Sequence, residues 1–134
     1  MRRVLYDTNV ILDVLLERQP HFAASAAALD AVGRGKVEGY VSAHAVTTIA
    51  YLLERRLGSA KSRRALSDLL SKMRVAPVTD DVVRQALTSR INDFKDAVCH
   101  AAALESDVSM IVTRNIADFS KGKVPAVLPE VFRA

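Results

Sequence analysis

The sequence predicts an α/β fold, a parallel sheet with helices on both faces, and three observations carry that prediction. Short apolar runs rich in Val, Ile, Leu and Tyr alternate with helix-periodic stretches of about ten or more residues, the pattern of successive βα units. Half of the 134 residues are apolar and a quarter are charged, a globular balance rather than a disordered one. The chain shows no internal repeat, low-complexity tract or linker. Its length suits one domain over residues 1–134 that buries roughly two thirds of its unfolded surface without staples.

Arg3-Val4-Leu5-Tyr6 is β-prone and stops at Asp7. From Thr8 to Glu17 the apolar residues Val10, Ile11, Val14 and Leu15 recur at helical spacing, with Thr8 placed to cap. Pro20-His21 breaks the chain, and Phe22 to Val32 is an alanine-rich helix closed by Gly33 and Gly35. Glu38 to Val41 reads as the second strand, leading at Ser42 into an apolar helix that runs to about Arg56. Gly58-Ser59 stops that helix and caps another, from Lys61 to Met73. Val75 to Val78 is a strand whose Pro77 suggests an edge position. Thr79-Asp80-Asp81 caps a helix to about Arg90, and Asp93 opens one to Glu105. Ser109 to Thr113 is the clearest buried strand, and Val124 to Leu128 a weak last one containing Pro125.

A single cysteine, Cys99, forms no internal disulfide and fits a reducing cytoplasm. Arg2-Arg3 could begin a signal peptide, but Asp7, Asn9 and Asp13 interrupt the apolar stretch it would need. The longest uncharged stretch, Gly39 to Leu53, is too short to span a bilayer, so a soluble cytoplasmic protein with no membrane partner is expected. With 19 Lys+Arg against 15 Asp+Glu the net charge is +4, which favours polyanionic partners. The surplus gathers in Arg55, Arg56, Lys61, Arg63 and Arg64, either a solvated helical surface or a patch that tracks phosphates.

In an open α/β sheet, ligands bind beyond the carboxyl ends of the strands. Those exits carry Asp7-Thr8-Asn9, Ser42, and Thr113-Arg114-Asn115-Ile116-Ala117-Asp118. Asp93 and Asp96, at i,i+3 spacing, share a face at a helix start. If these groups converge, Asp7, Asp93, Asp96 and Asp118 form a carboxylate cluster that holds protons or a hard divalent cation such as Mg²⁺ or Mn²⁺. Plainer readings stand beside this one. Asp7 suits a helix N-terminus, Asp93 to Asp96 matches a capping box, and Asn115 and Asp118 are ordinary turn formers. His44 and His100 lack partners at zinc-like spacing and read as packed or surface residues.

Leu5-Tyr6-Asp7-Thr8-Asn9-Val10 resembles the opening of PIN domains, small α/β nucleases that include the VapC-type toxins. The resemblance continues through Asp93-Phe94-Lys95-Asp96-Ala97-Val98, Ile111-Val112-Thr113-Arg114-Asn115, Asp118-Phe119 and the Pro129-Glu130-Val131-Phe132 tail, in order along the whole chain. It implies a three-layer α/β/α sandwich around a central parallel sheet of four or five strands, and a Mg²⁺- or Mn²⁺-dependent endoribonuclease, the toxin of a toxin–antitoxin pair. It further implies that Asp7 and Asp96 are principal metal ligands, that Asn115 and Asp118 form a third acidic block, and that Asp93 is an extra ligand. Asp7, Asp96 and Asp118 would be catalytic. Thr8, Asn9, Thr48 and Thr113 would orient the ligands or their waters. Arg55, Arg56, Lys61, Arg63, Arg64 and Arg114 would guide the RNA backbone, an antitoxin would cover the site, and the chain would pair as a homodimer.

The chain departs from the family pattern after Ser42. Where relatives carry a glutamate five or six residues on, it has Thr47 and Thr48, with no acid before Glu54. Asn115 replaces a frequent aspartate. Both changes remove negative charge, predicting weaker cation binding and one ion rather than two. The alternative is therefore a PIN-fold module that grips RNA or protein without cutting. A phosphatase using Asp7 as a covalent nucleophile would want an acid at Asn9 and ranks below both.

Overall fold

In the computed structural model, which describes residues 1–134, the chain forms a five-stranded parallel sheet between two helical layers. The strands are β1 (Arg3–Tyr6), β2 (Glu38–Ser42), β3 (Met73–Ala76), β4 (Met110–Val112) and β5 (Ala126–Val127), in the order β3-β2-β1-β4-β5. The helices are α1 (Thr8–Leu15), α2 (Phe22–Gly33), α3 (Ala43–Leu57), α4 (Ser59–Leu70), α5 (Asp80–Leu87) and α6 (Phe94–Glu105). A short 3₁₀ turn spans Ile116–Phe119.

The pleat sends alternate strand residues into two separate cores. Val4, Tyr6, Val41, Met73 and Val112 pack with Val10, Ile11, Leu12, Ala28, Ile49 and Leu53 from α1, α2 and α3. Leu5, Tyr40, Ala76 and Ile111 face the other way, onto Val82 and Ala86 of α5 and the alanines of α6. Alanine suits that side because small side chains let α6 lie close to the strands. Burying one central strand on both faces is why Val4, Leu5 and Tyr6 are all fully inaccessible.

The layering follows from handedness. Crossovers between parallel strands are right-handed, so β1→β2→β3 puts its helices on one face. The next connection runs back past β1 to β4 and puts α5 and α6 on the other. Strand order therefore reverses between β1 and β4, and at such a reversal an open α/β sheet forms its crevice beyond the carboxyl ends. The β1 exit is sewn to its neighbour, since Asp7 N–H donates to the Val112 carbonyl at 2.9 Å.

Three local expectations need correction. Asp7 rather than Thr8 is the N-cap of α1: its Oδ1 accepts from Thr8 N–H at 2.9 Å. The third strand is Met73–Ala76 rather than Val75 to Val78, and α4 accordingly ends at Leu70, short of the expected Met73. Pro77, with no N–H to give the ladder, lies just past the strand, which does take the edge position. Helix α5 closes at Leu87, earlier than Arg90. No helix is long and apolar enough to cross a membrane.

Gly39 of β2 is required by packing. A Cβ there would meet Val32 Cγ2 at 2.5 Å, so α2 sits on the strand only because the side chain is absent. Tyr6 adds a polar tie, its hydroxyl donating to the Ala28 carbonyl at 2.7 Å.

Candidate functional site

The crevice is lined from three directions. β1 and the N-terminus of α1 bring Asp7, β4 brings Thr113, and the N-terminus of α6 brings Asp93, Lys95 and Asp96. Helices that return antiparallel to parallel strands start at the carboxyl edge, which is why α6 presents its first turn here. Asp7 is 9% exposed and Asp96 is 4% exposed, so both carboxylates are largely withdrawn from water.

Each has part of its hydrogen-bonding capacity met. The Asp7 carboxylate accepts from Thr8 N–H through Oδ1 and from Thr113 Oγ1 through Oδ2, the latter at 2.8 Å. The Thr113 hydroxyl also accepts from Asn115 N–H at 3.0 Å, fixing the loop that leaves β4. Asp93 is the N-cap of α6, its Oδ1 accepting from Asp96 N–H at 3.1 Å, as the capping-box spacing suggests. Lys95 reaches back over both acids, with Nζ 3.0 Å from Asp96 Oδ1 and 3.7 Å from Asp93 Oδ1.

Charge in the crevice is unbalanced. Burial raises the Asp96 pKa above the usual carboxylate value, and the charges of Asp7 and Asp93 add to that rise against the opposing pull of Lys95. Burial works against the Lys95 ammonium, but its hydrogen bond to Asp96 and the surrounding acids outweigh that and raise its pKa.

His44, in the first turn of α3, hydrogen-bonds through Nε2 with the Lys95 carbonyl at 3.2 Å, which ties α3 to α6 across the crevice. That bond assigns the proton to Nε2, and Nδ1 is left buried without a partner. Burial lowers the His44 pKa despite the charges of Asp7 and Asp96, so the ring is neutral near pH 7. Behind these groups, Ser42 Oγ is buried beside the Cys99 thiol, whose pKa burial pushes far above its ordinary value.

The other expected residues fall elsewhere. Asp118 is exposed and lines, with Asn92, Asp93 and Lys121, a small polar cavity of about 80 Å³ at the rim. Asn115 is exposed above Thr113. No three acidic, histidine or cysteine side chains converge on one ligating point. The Thr48 hydroxyl donates to the His44 carbonyl at 3.4 Å, one turn back in its own helix. Arg55 lies about 17 Å along α3 from His44, so the basic run from Arg55 to Arg64 begins at the far end of that helix.

Arg114 and Asn9 belong to a network that centres on Asp13, which is fully buried. Arg114 Nε lies 3.0 Å from Asp13 Oδ2, Arg18 Nη2 lies 3.0 Å from Oδ1, and Ser25 Oγ donates to Oδ2 at 3.0 Å. Arg18 also donates to the Asn9 carbonyl and side-chain oxygens at 3.1 and 3.2 Å. Sequence reasoning passed over Asp13, Arg18, Lys95 and His44 as site-shaping residues. The signal for Asp13 was available, since it is an acid on an otherwise apolar helix, Val10-Ile11-Leu12-Asp13-Val14-Leu15.

Residues 3–117 match a sequence profile of the PIN domain. No curated protein matches the sequence. Among solved structures, FitAcB from Neisseria gonorrhoeae superposes with TM-score 0.73 at 21% identity, covering 96% of this chain and 99% of that one. A toxin–antitoxin complex from Klebsiella pneumoniae gives 0.72 at 21% identity, covering 94% and 97%. Mycobacterium tuberculosis VapC20, described as a toxin that cleaves the sarcin–ricin loop, gives 0.62 at 19% identity, covering 81% and 86%. At these identities the likeness is one of fold.

Proposed function

The chain belongs to the PIN domain family, and on that premise we propose that it is a divalent-cation-dependent endoribonuclease, the toxin of a toxin–antitoxin pair. The observation that carries this reading is the pair of withdrawn carboxylates, Asp7 and Asp96, at the point where strand order reverses, with the charge of Asp7 disfavouring ionisation of Asp96. Acids in such a position are relieved by a cation. The residues fit Mg²⁺ or Mn²⁺, which need only one or two protein carboxylates and keep several waters. The Lys95 ammonium 3.0 Å from Asp96 already stands where positive charge is favoured.

Asp7 and Asp96 would hold the ion. Asp118 and Asn115, both exposed, and Asp93, whose Oδ1 caps α6, would reach it or the substrate through water. When bound, such an ion supplies a Lewis acid and lowers the pKa of coordinated water, the chemistry required to hydrolyse a phosphodiester. Thr113 and the Thr8 amide hold the Asp7 carboxylate in one orientation, and Asp93 fixes the first turn of α6 on which Asp96 sits. Arg55, Arg56, Lys61, Arg63 and Arg64 would meet the RNA backbone away from the bond that is cut. An antitoxin, a homodimeric state and action in the cytoplasm belong to the same proposal; the fold shared with the Klebsiella pneumoniae protein, solved as a toxin–antitoxin complex, supports the antitoxin.

Calorimetric titration of Mn²⁺ into chelator-treated protein, with Asp96→Asn as control, is the test. Binding to wild type that vanishes in the variant, with metal-dependent cleavage of RNA, supports the proposal. Equal binding by both proteins refutes the site. A second reading, a module that binds RNA without cutting it, is favoured by one observation: no three acidic, histidine or cysteine side chains converge as a ligand set, and the Thr48 hydroxyl is spent on its own helix. It would show RNA binding that weakens with salt and ignores chelator.

A further inference from the structure

The crevice contains a cation of its own. Lys95 Nζ lies 3.0 Å from Asp96 Oδ1 and 3.7 Å from Asp93 Oδ1, while the side chain remains 64% exposed. Its backbone is held by His44, whose Nε2 hydrogen-bonds with the Lys95 carbonyl at 3.2 Å. The Lys95 Cα is therefore anchored at the mouth of the crevice while four methylenes leave the ammonium free to swing. The oxygen that it occupies belongs to a carboxylate the proposed metal site requires.

We propose that Lys95 is a built-in competitor for the divalent cation: its ammonium pairs with Asp96 and weakens the hold of that carboxylate on the ion. The inference rests on the nuclease reading above, because it takes Asp7 and Asp96 to be the cation's ligands. Lys95 engages only Oδ1 of Asp96, but a +1 ammonium in contact with that carboxylate offsets its charge and repels a +2 ion approaching it. An ammonium is a compact charge on a flexible stem, so displacement costs little beyond the lost ion pair. Lys95 thus sets the cation concentration at which the site fills. The substitutions that thin the negative charge, Thr48 and Asn115, make this competition more effective.

Mn²⁺ titration by calorimetry of wild type, Lys95→Gln, Lys95→Arg and Lys121→Gln tests the inference. Lys121 lines the adjacent rim cavity with Asp93 and Asp118, so its removal subtracts the same charge nearby. Lys95→Gln should bind Mn²⁺ about fivefold more tightly than wild type, the yield of removing one partly exposed ion pair. Lys95→Arg should restore wild-type affinity, and Lys121→Gln should change it less than about twofold. Tightening in Lys95→Gln when wild type shows no measurable binding also supports the inference. Wild-type binding that Lys95→Gln leaves unchanged or weakens overturns it while the metal site stands. An equal gain in Lys121→Gln overturns it in favour of a general field. Absence of binding in every protein removes the cation reading, and the competitor with it.

Discussion

Asp13 offers the sharpest test of how the crevice is supported. It is fully buried, and its charge is shared by two arginines, Arg18 and Arg114, whose side chains are 33% and 27% exposed. Replacing it with alanine leaves both guanidinium groups facing a small apolar gap and strands the Ser25 hydroxyl. Removing one partner of a fully buried pair costs about 3–5 kcal/mol. Here water reaches both arginine heads, so a discounted loss of about 2–3 kcal/mol is expected, with the ladder of α1 otherwise intact. For a domain of 134 residues that corresponds to a fall in Tm of about 10 °C. Urea unfolding of Asp13→Ala, Arg114→Ala and the double variant measures it. The two sites share an ion pair, so the cycle should show coupling above about 1 kcal/mol. Arg114 leaves β4 immediately after Thr113, whose hydroxyl orients Asp7, so the Asp13 variant should also bind Mn²⁺ less tightly. Additive effects with unchanged Mn²⁺ binding would refute both the ion pair's contribution and its reach to the site.

Four further outcomes follow from the geometry. Asp96 carries a folded-state pKa above its unfolded value, so the folded state binds more protons in that window, and its ionisation lowers apo stability as pH rises through it. Asp96→Asn should therefore melt at or above the wild-type temperature at pH 7, and that advantage should shrink as pH falls toward about 4. Adding Mn²⁺ should raise wild-type Tm alone, by about 2.7 kcal/mol of stabilisation at a hundredfold excess over Kd. Gly39→Ala should cost about 1–3 kcal/mol in urea unfolding, because its Cβ meets Val32 at 2.5 Å, whereas Gly33→Ala meets nothing within 4 Å and should be near neutral. Cys99 is buried with its thiol pKa driven up, so thiol reagents should label it only at the rate at which the protein opens.

The fold was legible because its signals are local and repeated. Strands that are apolar on both faces, such as Val4-Leu5-Tyr6, and helices that end at Gly33 and Gly58 dictate a parallel sheet covered on both sides. Errors came where two local rules compete. At Asp7-Thr8 either side chain can cap, and backbone φ/ψ decides for Asp7, which is extended at −68° and 156°. At β3, Val75-Ala76-Pro77-Val78 has the stronger β-propensity, but pairing with Gly39 to Ser42 fixes the register two residues earlier. Register is a tertiary property and cannot be read from propensity.

The site divides along the same line. That Asp7, Asp93 and Asp96 share an edge follows from topology, because strand exits and the starts of returning helices meet there. Which acids then touch depends on loop length and side-chain reach. Asp118 sits only four residues past Arg114, yet the 3₁₀ turn of Ile116–Phe119 buries Phe119 in the α6 core and turns Asp118 outward to the rim. Arg114 follows an acid-rich edge and a basic excess, which reads as a phosphate contact; the buried Asp13, a hundred and one positions away, claims it instead. Lys95 is the instructive case. Between two aspartates on a helix start it reads as a solvated charge, and only the withdrawal of Asp96 from water turns it into a cation competing for the carboxylate that a metal would need. Burial changes the meaning of a charge, and burial is what a local sequence window omits.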